Sequence, residues 1–167
     1  DGDKIDLNFD LVNKLIKSLP FELTNDQKNA LDEVINELNS PKRMNRLLQG
    51  DVGSGKTIVG FISILINYFS GYQSALMAPT EILAEQHYHN FKKMFECYGI
   101  NVELLTGKTK LKDKKEIYKK LDSGEIDVII GTHALITEDV KYKNLGLVIT
   151  DEQHRFGVNQ RSNLKNK

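Results

Sequence analysis

Apolar residues at helical spacing predict two helices near the start of the chain. The first covers residues 10–18 and would end before Pro20. The second is predicted from Thr24 to about Leu38. Five residues that recur every three or four positions form its apolar face: Ala30, Leu31, Val34, Ile35 and Leu38.

Beyond residue 45 the pattern changes to short apolar runs that alternate with longer helical stretches. The runs predict strands near residues 46–49, 74–78, 101–105, 127–131 and 145–150. Runs such as ALMA and DVIIG are apolar without alternation, which is typical of strands covered by helices on both faces. The pattern predicts an α/β fold with a doubly wound, mostly parallel sheet flanked by helices.

Three helices are predicted between these strands, over about residues 56–69, 80–97 and 112–123. Each is followed by a glycine that suits the left-handed conformation at a helix end: Gly71, Gly99 and Gly124. The first of these helices is apolar on nearly all sides, so we expect it to be buried.

Composition limits the classes of protein to consider. The 167 residues are 40% hydrophobic, enough for one globular core, and 23 basic residues balance 23 acidic residues. Bulk charge therefore favours no partner, although seven lysines fall within residues 108–120. Cys97 is the single cysteine, so no internal disulfide can form, and we expect it to pack rather than react. No membrane-spanning or signal-peptide pattern is evident, and a cytoplasmic location is expected.

The string GDVGSGKT, residues 50–57, lies between a predicted strand and a predicted helix. Its glycines allow the backbone to wrap around phosphate oxygens, and the start of the helix adds N–H donors. Lys56 would contact the β and γ phosphates, and Thr57 would offer its hydroxyl to Mg²⁺. A glycine-rich turn with an incidental lysine is the alternative, but string and context together favour a nucleoside triphosphate site. The cradle consists of Gly50, Gly53, Ser54, Gly55, Lys56 and Thr57.

DEQH, residues 151–154, follows the last predicted strand, at the edge where open α/β sheets bind ligands. Asp151 is placed to hold Mg²⁺, through water, opposite Thr57. Glu152 could orient or deprotonate the attacking water. His154 is not needed for the metal, which suggests a coupling role. A solvated turn is the alternative for such an acidic pair, and the upstream phosphate cradle makes that alternative weaker.

Four motifs in order carry a resemblance to a known family. RLLQGDVGSGKT, ALMAPTEILAEQH, IIGTHALI and DEQHRFGVNQR resemble the first RecA-like motor domain of RecG-type DNA helicases, within helicase superfamily 2. The resemblance covers about residues 20–161 and implies an ATP- and Mg²⁺-dependent helicase that remodels branched DNA in recombination and repair. The corresponding lobe of the transcription-repair coupling translocase is similar too, but typically has DEEH in place of DEQH.

The resemblance also implies contacts outside the two signature motifs. Gln27 would sense adenine and Phe21 would stack on the base, although Thr24 and Gln27 also have the spacing of a capping box. DNA would be contacted through sugar and phosphate rather than base edges. The predicted DNA-binding residues are Pro79, Thr80, Glu81, Thr106, Gly107, Thr132 and His133. Taken singly, these positions are ordinary strand-end turns and helix caps.

The predicted domain organisation is an N-terminal linker and helix over residues 1–20, then a truncated RecA-like helicase domain 1 over residues 21–167. The resemblance implies a second RecA-like domain and a wedge domain in the same parent chain, neither of which this sequence contains. The isolated segment is expected to be weak or inactive as an ATPase.

Two other classes remain as alternatives. A non-hydrolysing nucleotide-binding module would fit the isolated segment. A stand-alone P-loop transferase would need an arginine-bearing lid, and the arginines do not cluster: Arg43, Arg46, Arg155 and Arg161. His87 and His89, two apart on a predicted helix, point in different directions and are not expected to form a metal site.

Overall fold

Helices alternate with strands through most of the chain in the computed structural model, which describes residues 9–19, 22–38, 46–50, 57–135, 137 and 139–151. The helices are α1 (Phe9–Ser18), α2 (Asn25–Leu38), α3 (Thr57–Phe69), α4 (Glu81–Phe95) and α5 (Leu111–Ser123). The strands are β1 (Arg46–Gly50), β2 (Gln73–Met77), β3 (Val102–Leu105), β4 (Val128–Gly131) and β5 (Leu145–Asp151). Short 3₁₀ turns span Glu96–Tyr98 and His133–Leu135.

Every predicted helix and strand is confirmed, with ends shifted by one or two residues. The helix predicted to end near residue 97 stops at Phe95 and continues as the 3₁₀ turn to Tyr98. Gly71, Gly99 and Gly124 follow their helices with φ of 91°, 71° and 88°, as expected for helix-ending glycines.

The described strands form one parallel sheet in the order β1-β5-β2-β4-β3. From β1 to β3 the chain moves in one direction across the sheet, and after β3 it turns back to β4. Because parallel crossovers keep one hand, this reversal sends the next helix to the opposite face. The doubly wound architecture predicted from the sequence is therefore confirmed.

Alternate residues of strands β2, β4 and β5 point into two separate cores, one on each face of the sheet. On β4, Val128 and Ile130 join the core formed with α2, α3 and α4, whereas Ile129 joins the core formed with α5. Strands β2 and β5 divide in the same manner. Burial on both faces explains why the apolar runs do not alternate.

Helix α3 is the most deeply buried helix of the described chain. Every residue from Ile58 to Asn67 is buried, as its uniformly apolar sequence predicts. The two polar side chains within this buried stretch make internal hydrogen bonds: Ser63 Oγ donates to Val59 O (2.7 Å), and Asn67 Nδ2 donates to Gln73 O (2.9 Å) and Ser74 Oγ. The helix that follows GDVGSGKT is thus held firmly against the sheet.

One packing prediction is wrong. Cys97 is exposed, because it lies in the 3₁₀ turn after α4, beyond the stripe of α4 that faces the core. In the described part of the chain, no helix is both long enough and apolar enough to cross a membrane.

Candidate functional site

Most candidate residues that the structure describes lie at the carboxyl edge of the sheet. All described strands are parallel, so their carboxyl ends meet at one edge, and the segments that follow them carry the predicted nucleotide and DNA motifs. Gly50 at the end of β1 pairs in register with Asp151 at the end of β5. Met77, at the end of β2, pairs with both Thr150 and Gly131 on its two sides.

The first residues of the two halves of the predicted phosphate site lie beside each other. Gly50, which opens GDVGSGKT, is the register partner of Asp151, which opens DEQH. Thr57, which closes the cradle, is the first residue of α3 and is half-buried. The string therefore starts at the end of a strand and finishes at the start of a helix, as a phosphate cradle requires. Gly53, Ser54, Gly55 and Lys56 lie outside the described residues, and their roles stay predictions.

Asp151 is buried, and its carboxylate accepts a hydrogen bond from an unexpected partner. The side chain has 0% exposure, and its Oδ2 lies 3.0 Å from Nε2 of His87 on α4. Carboxylate and hydroxyl oxygens suit Mg²⁺. Asp151 ends β5 and Thr57 begins α3, so both side chains belong to segments that meet at this edge. Their oxygen atoms therefore fit the metal that the sequence predicts. Among the described residues, no three or more His, Cys, Asp or Glu side chains group as a metal site of their own. Glu152 and His154 lie outside the described residues.

His87 is the residue that sequence reasoning missed. The divergence of His87 from His89 is confirmed, since His87 is buried and His89 is exposed. A sequence signal for burial was present: the buried residues of α4 are Ala84, His87, Phe91 and Phe95, a stripe at helical spacing. Its partner could not be found from that stripe, because Asp151 is 64 residues away in the chain.

Gln27 takes part in the capping box at the start of α2. Thr24 N donates to Gln27 Oε1 (2.8 Å), and Gln27 N donates to Thr24 Oγ1 (3.1 Å). The capping role, one of two open interpretations, is confirmed, and it uses the carbonyl oxygen of the Gln27 amide. Contact with adenine stays a prediction. Phe21 lies outside the described residues.

The segment Pro79–Glu81 begins α4 after strand β2. Thr80 is the N-cap of α4, and its Oγ1 accepts a hydrogen bond from Leu83 N at 3.2 Å. Glu81 reaches across to the next strand connection, where its Oε2 accepts a hydrogen bond from Lys108 N at 3.2 Å. The two predicted DNA motifs after β2 and β3 are thereby joined.

The connection after β3 is a tight turn built on Thr106. Thr106 Oγ1 accepts from Lys108 N, and Thr106 N donates to Thr109 Oγ1 at 3.0 Å. Thr106 is 4% exposed and Thr132 is 8% exposed, whereas Gly107 and His133 are exposed. The buried threonines therefore shape this edge, and the exposed residues are the ones a ligand can reach.

A doubly wound parallel sheet, with a phosphate-cradle strand paired to an acidic strand end, defines a P-loop domain of the RecA-like kind. Comparison with protein families agrees with this class: the model for "DEAD/DEAH box helicase" matches residues 24–167. The chain belongs to the DEAD/DEAH box helicase family.

Individual relatives show which helicases this chain is similar to. "ATP-dependent DNA helicase RecG" of Thermotoga maritima is 59% identical over 157 residues, which cover 94% of this chain and 20% of the relative. RecG of Bacillus subtilis is 57% identical over 154 residues, covering 92% of this chain and 23% of the relative. A structure of RecG bound to a three-way DNA junction matches with a TM-score of 0.79 at 55% identity, covering 92% of this chain and 21% of that one. The chain thus spans about a fifth of the length of these relatives.

Proposed function

We propose that this chain is the ATP-binding lobe of an ATP-dependent DNA helicase that remodels branched DNA, such as forks and Holliday junctions, in recombination and repair. The observation that carries the proposal is the pairing of Gly50 with Asp151 at the carboxyl edge. The predicted DNA-contacting segments begin at the same edge, because they follow the ends of β2, β3 and β4. The similarity to RecG, a relative seen bound to a three-way DNA junction, supports this substrate class.

The nucleotide chemistry is divided between two motifs. The cradle around Gly53, Ser54 and Gly55 would hold the phosphates by backbone N–H groups, and Lys56 would neutralise their charge. Thr57 and Asp151 would hold Mg²⁺, which supplies charge stabilisation to the transferred phosphate when bound. Glu152 would orient or deprotonate the attacking water. His154 would link this site to the DNA-bound parts of the motor.

DNA would run along the same edge of the sheet. The N-terminus of α4 at Thr80 presents N–H groups suited to a phosphate, and exposed Gly107 and His133 offer further contacts to the backbone. Glu81 would act through its hydrogen bond to Lys108 N, because a carboxylate repels phosphate. Contacts of this kind track a strand without reading its sequence.

The whole protein would supply the remaining parts. A second RecA-like domain would close the nucleotide cleft and contribute an arginine finger, which in related phosphoryl transfers accelerates hydrolysis by roughly 10³- to 10⁵-fold. A wedge domain would split the branch point. We place the protein in the cytoplasm, where bacterial DNA and ATP are found together.

The proposal is tested with the full-length protein and its Lys56→Ala variant. Loss of the ammonium at the β and γ phosphates is expected to lower DNA-stimulated ATP hydrolysis at least about 100-fold, since it removes stabilisation of the transferred charge. Phosphate release is measured with a three-way junction and with linear duplex of equal length. Junction unwinding is followed by strand separation.

ATP hydrolysis tests the nucleotide site, and its stimulation by the two DNAs tests the substrate. Wild-type hydrolysis should be stimulated more by the junction than by the linear duplex, and junction binding by Lys56→Ala should stay within about 3-fold of wild type, because DNA lies outside the cradle. Equal hydrolysis by both proteins would contradict the assigned cradle. Equal stimulation by both DNAs would contradict the branched substrate.

A further inference from the structure

His87 contacts the metal-site carboxylate from a neighbouring helix. Its Nε2 lies 3.0 Å from Asp151 Oδ2, and both side chains are almost fully excluded from solvent, at 7% and 0% exposure. The residues are 64 positions apart, so only the fold brings them together. A buried contact of this length between a helix and the end of a strand restricts both groups.

The direction of this hydrogen bond follows from chemistry. An ionised carboxylate has no proton and only accepts, so the imidazole donates through Nε2–H. The bond then holds Asp151 Oδ2 toward α4 and limits rotation of the carboxylate. A carboxylate that is already oriented loses less entropy when it takes up a metal-bound water.

The imidazole itself is held in place by packing. Its ring meets the ring of Phe61 edge to face, with centroids 6.1 Å apart and an interplanar angle of 84°. Phe61 lies on α3, the helix that follows the phosphate cradle, and also packs against Phe91 of α4. His87 therefore touches the helix of one nucleotide motif and the carboxylate of the other.

We propose that His87 is a positioning residue for the magnesium–nucleotide site: its Nε2–H fixes the carboxylate of Asp151 in the orientation that receives Mg²⁺ through water. The proposal rests on the proposed function, because it takes Asp151 as a metal-site residue. His87 touches neither the nucleotide nor the metal and acts through Asp151 alone.

The test uses three variants of the full-length protein. His87→Leu removes the donor and keeps an apolar side chain of similar size against Phe61. His87→Gln restores an N–H donor near the position of Nε2. His89→Leu, two residues along the same helix but on its exposed side, is the matched control.

Two measurements are made on each protein. Isothermal titration gives the affinity for ADP with Mg²⁺ and with a chelator in its place, and steady-state hydrolysis of ATP gives the Mg²⁺ concentration at half-maximal rate. In His87→Leu, the factor by which Mg²⁺ tightens ADP binding is expected to fall about 10-fold, the usual scale for loss of a group that orients a metal ligand. Affinity for metal-free ADP should stay at the wild-type value, and half-maximal hydrolysis should need about 10-fold more Mg²⁺.

The outcomes separate positioning from packing. Recovery of the Mg²⁺ effect in His87→Gln, with no change in His89→Leu, supports the hydrogen bond. Equal losses in His87→Leu and His87→Gln, or a parallel loss of metal-free ADP binding, would overturn it. An unchanged Mg²⁺ effect in His87→Leu would overturn it too.

Failure of the inference differs from failure of the proposed function. If wild-type protein binds ADP more tightly with Mg²⁺ and Lys56→Ala weakens that binding, the nucleotide site stands whatever His87 does. If Mg²⁺ has no effect on the wild-type protein, Asp151 is not a metal-site residue and the proposed function fails first.

Discussion

Gln27 holds the start of α2, and the sequence also predicts that it contacts adenine. Its Oε1 accepts from Thr24 N in the capping box, which accounts for the helix start at Asn25. The amide Nε2 is the donor that this side chain can offer to adenine. Glutamate keeps the acceptor oxygen of the cap and lacks the N–H donor, so a single substitution tests the predicted donor role apart from the cap.

Gln27→Glu is expected to lower selectivity for ATP over GTP without weakening α2. The carboxylate still accepts from Thr24 N and favours the helix N-terminus, but it has no N–H for the base. Loss of one hydrogen bond corresponds to about a 5- to 10-fold fall in the ratio of kcat/KM for ATP to that for GTP. Steady-state hydrolysis with both nucleotides measures it.

Thr24→Ala is the matched control, since it removes the cap and leaves Gln27 in place. It should destabilise the first turn of α2 by about 1 kcal/mol and speed amide hydrogen exchange there roughly 5-fold, with nucleotide selectivity unchanged. If Gln27→Glu leaves selectivity unchanged, Gln27 is a capping residue only.

At the scale of single elements, the sequence predicted most of the fold because the strongest signals are local. Strand β4, most of β5 and the second half of β2 are apolar without alternation, and burial on both faces favours that pattern. Helix ends were marked by glycines, and the capping box was visible from its spacing. Contacts between elements, such as that of His87 with Asp151, depend on strand order, which no local pattern contains.

Continuous strings could be recognised in the sequence, whereas contacts between distant segments could not. GDVGSGKT and DEQH are recognised as strings, and the register of Gly50 with Asp151 confirms that their strands pair. The link from Glu81 to Lys108 N joins two connections 27 residues apart, and neither residue type reveals it. Cys97 was wrongly predicted to pack, because helix α4 ends at Phe95, before the cysteine.

Gly131, at the end of β4, has no room for a side chain. It ends β4 between β2 and β3, pairing with Met77 on one side and Leu105 on the other. A Cβ at this position would overlap the backbone carbonyl oxygen of Leu105, which itself accepts from Thr132 N. Glycine keeps the two strands in contact directly before Thr132 and His133, two predicted DNA-contacting residues.

Gly131→Ala is expected to separate the ends of β3 and β4. Displacing a backbone carbonyl costs about 3 kcal/mol, at the upper end of overpacking effects, and would speed hydrogen exchange of the β3 and β4 amides roughly 100-fold. Exchange is followed by mass spectrometry of the full-length protein. Gly107→Ala is the control, because the nearest atom to its Cβ would be Glu81 Oε2 at 4.0 Å. Equal protection in both variants would contradict the close approach.

At the scale of the whole molecule, charge is balanced overall and uneven locally. The 23 basic and 23 acidic residues cancel, so general attraction to DNA cannot come from net charge. Lysines nevertheless precede and begin α5, directly after the turn at Thr106, on the edge that carries the predicted DNA contacts. Helix α5 then runs back toward the opposite edge, where β4 begins.

Replacing Lys108, Lys110 and Lys112 together with glutamine should therefore weaken DNA binding and its salt dependence. All three side chains are exposed at or beside the start of α5. If each contacts one phosphate, the slope of log affinity against log salt concentration falls in magnitude by about 2 to 3. Binding of the full-length protein to a three-way junction between 50 and 200 mM salt, roughly the range over which such slopes are measured, tests this.

A second triple variant separates local contact from general charge. Lys93, Lys119 and Lys143 are equally exposed, but they lie late in α4, late in α5 and before β5, toward the amino edge of the sheet. Their replacement by glutamine changes net charge by the same three units and should leave the salt slope unchanged. Equal slopes for the two triple variants would mean that the lysines of α5 form a solvated face and that DNA is held at this edge by backbone N–H groups alone.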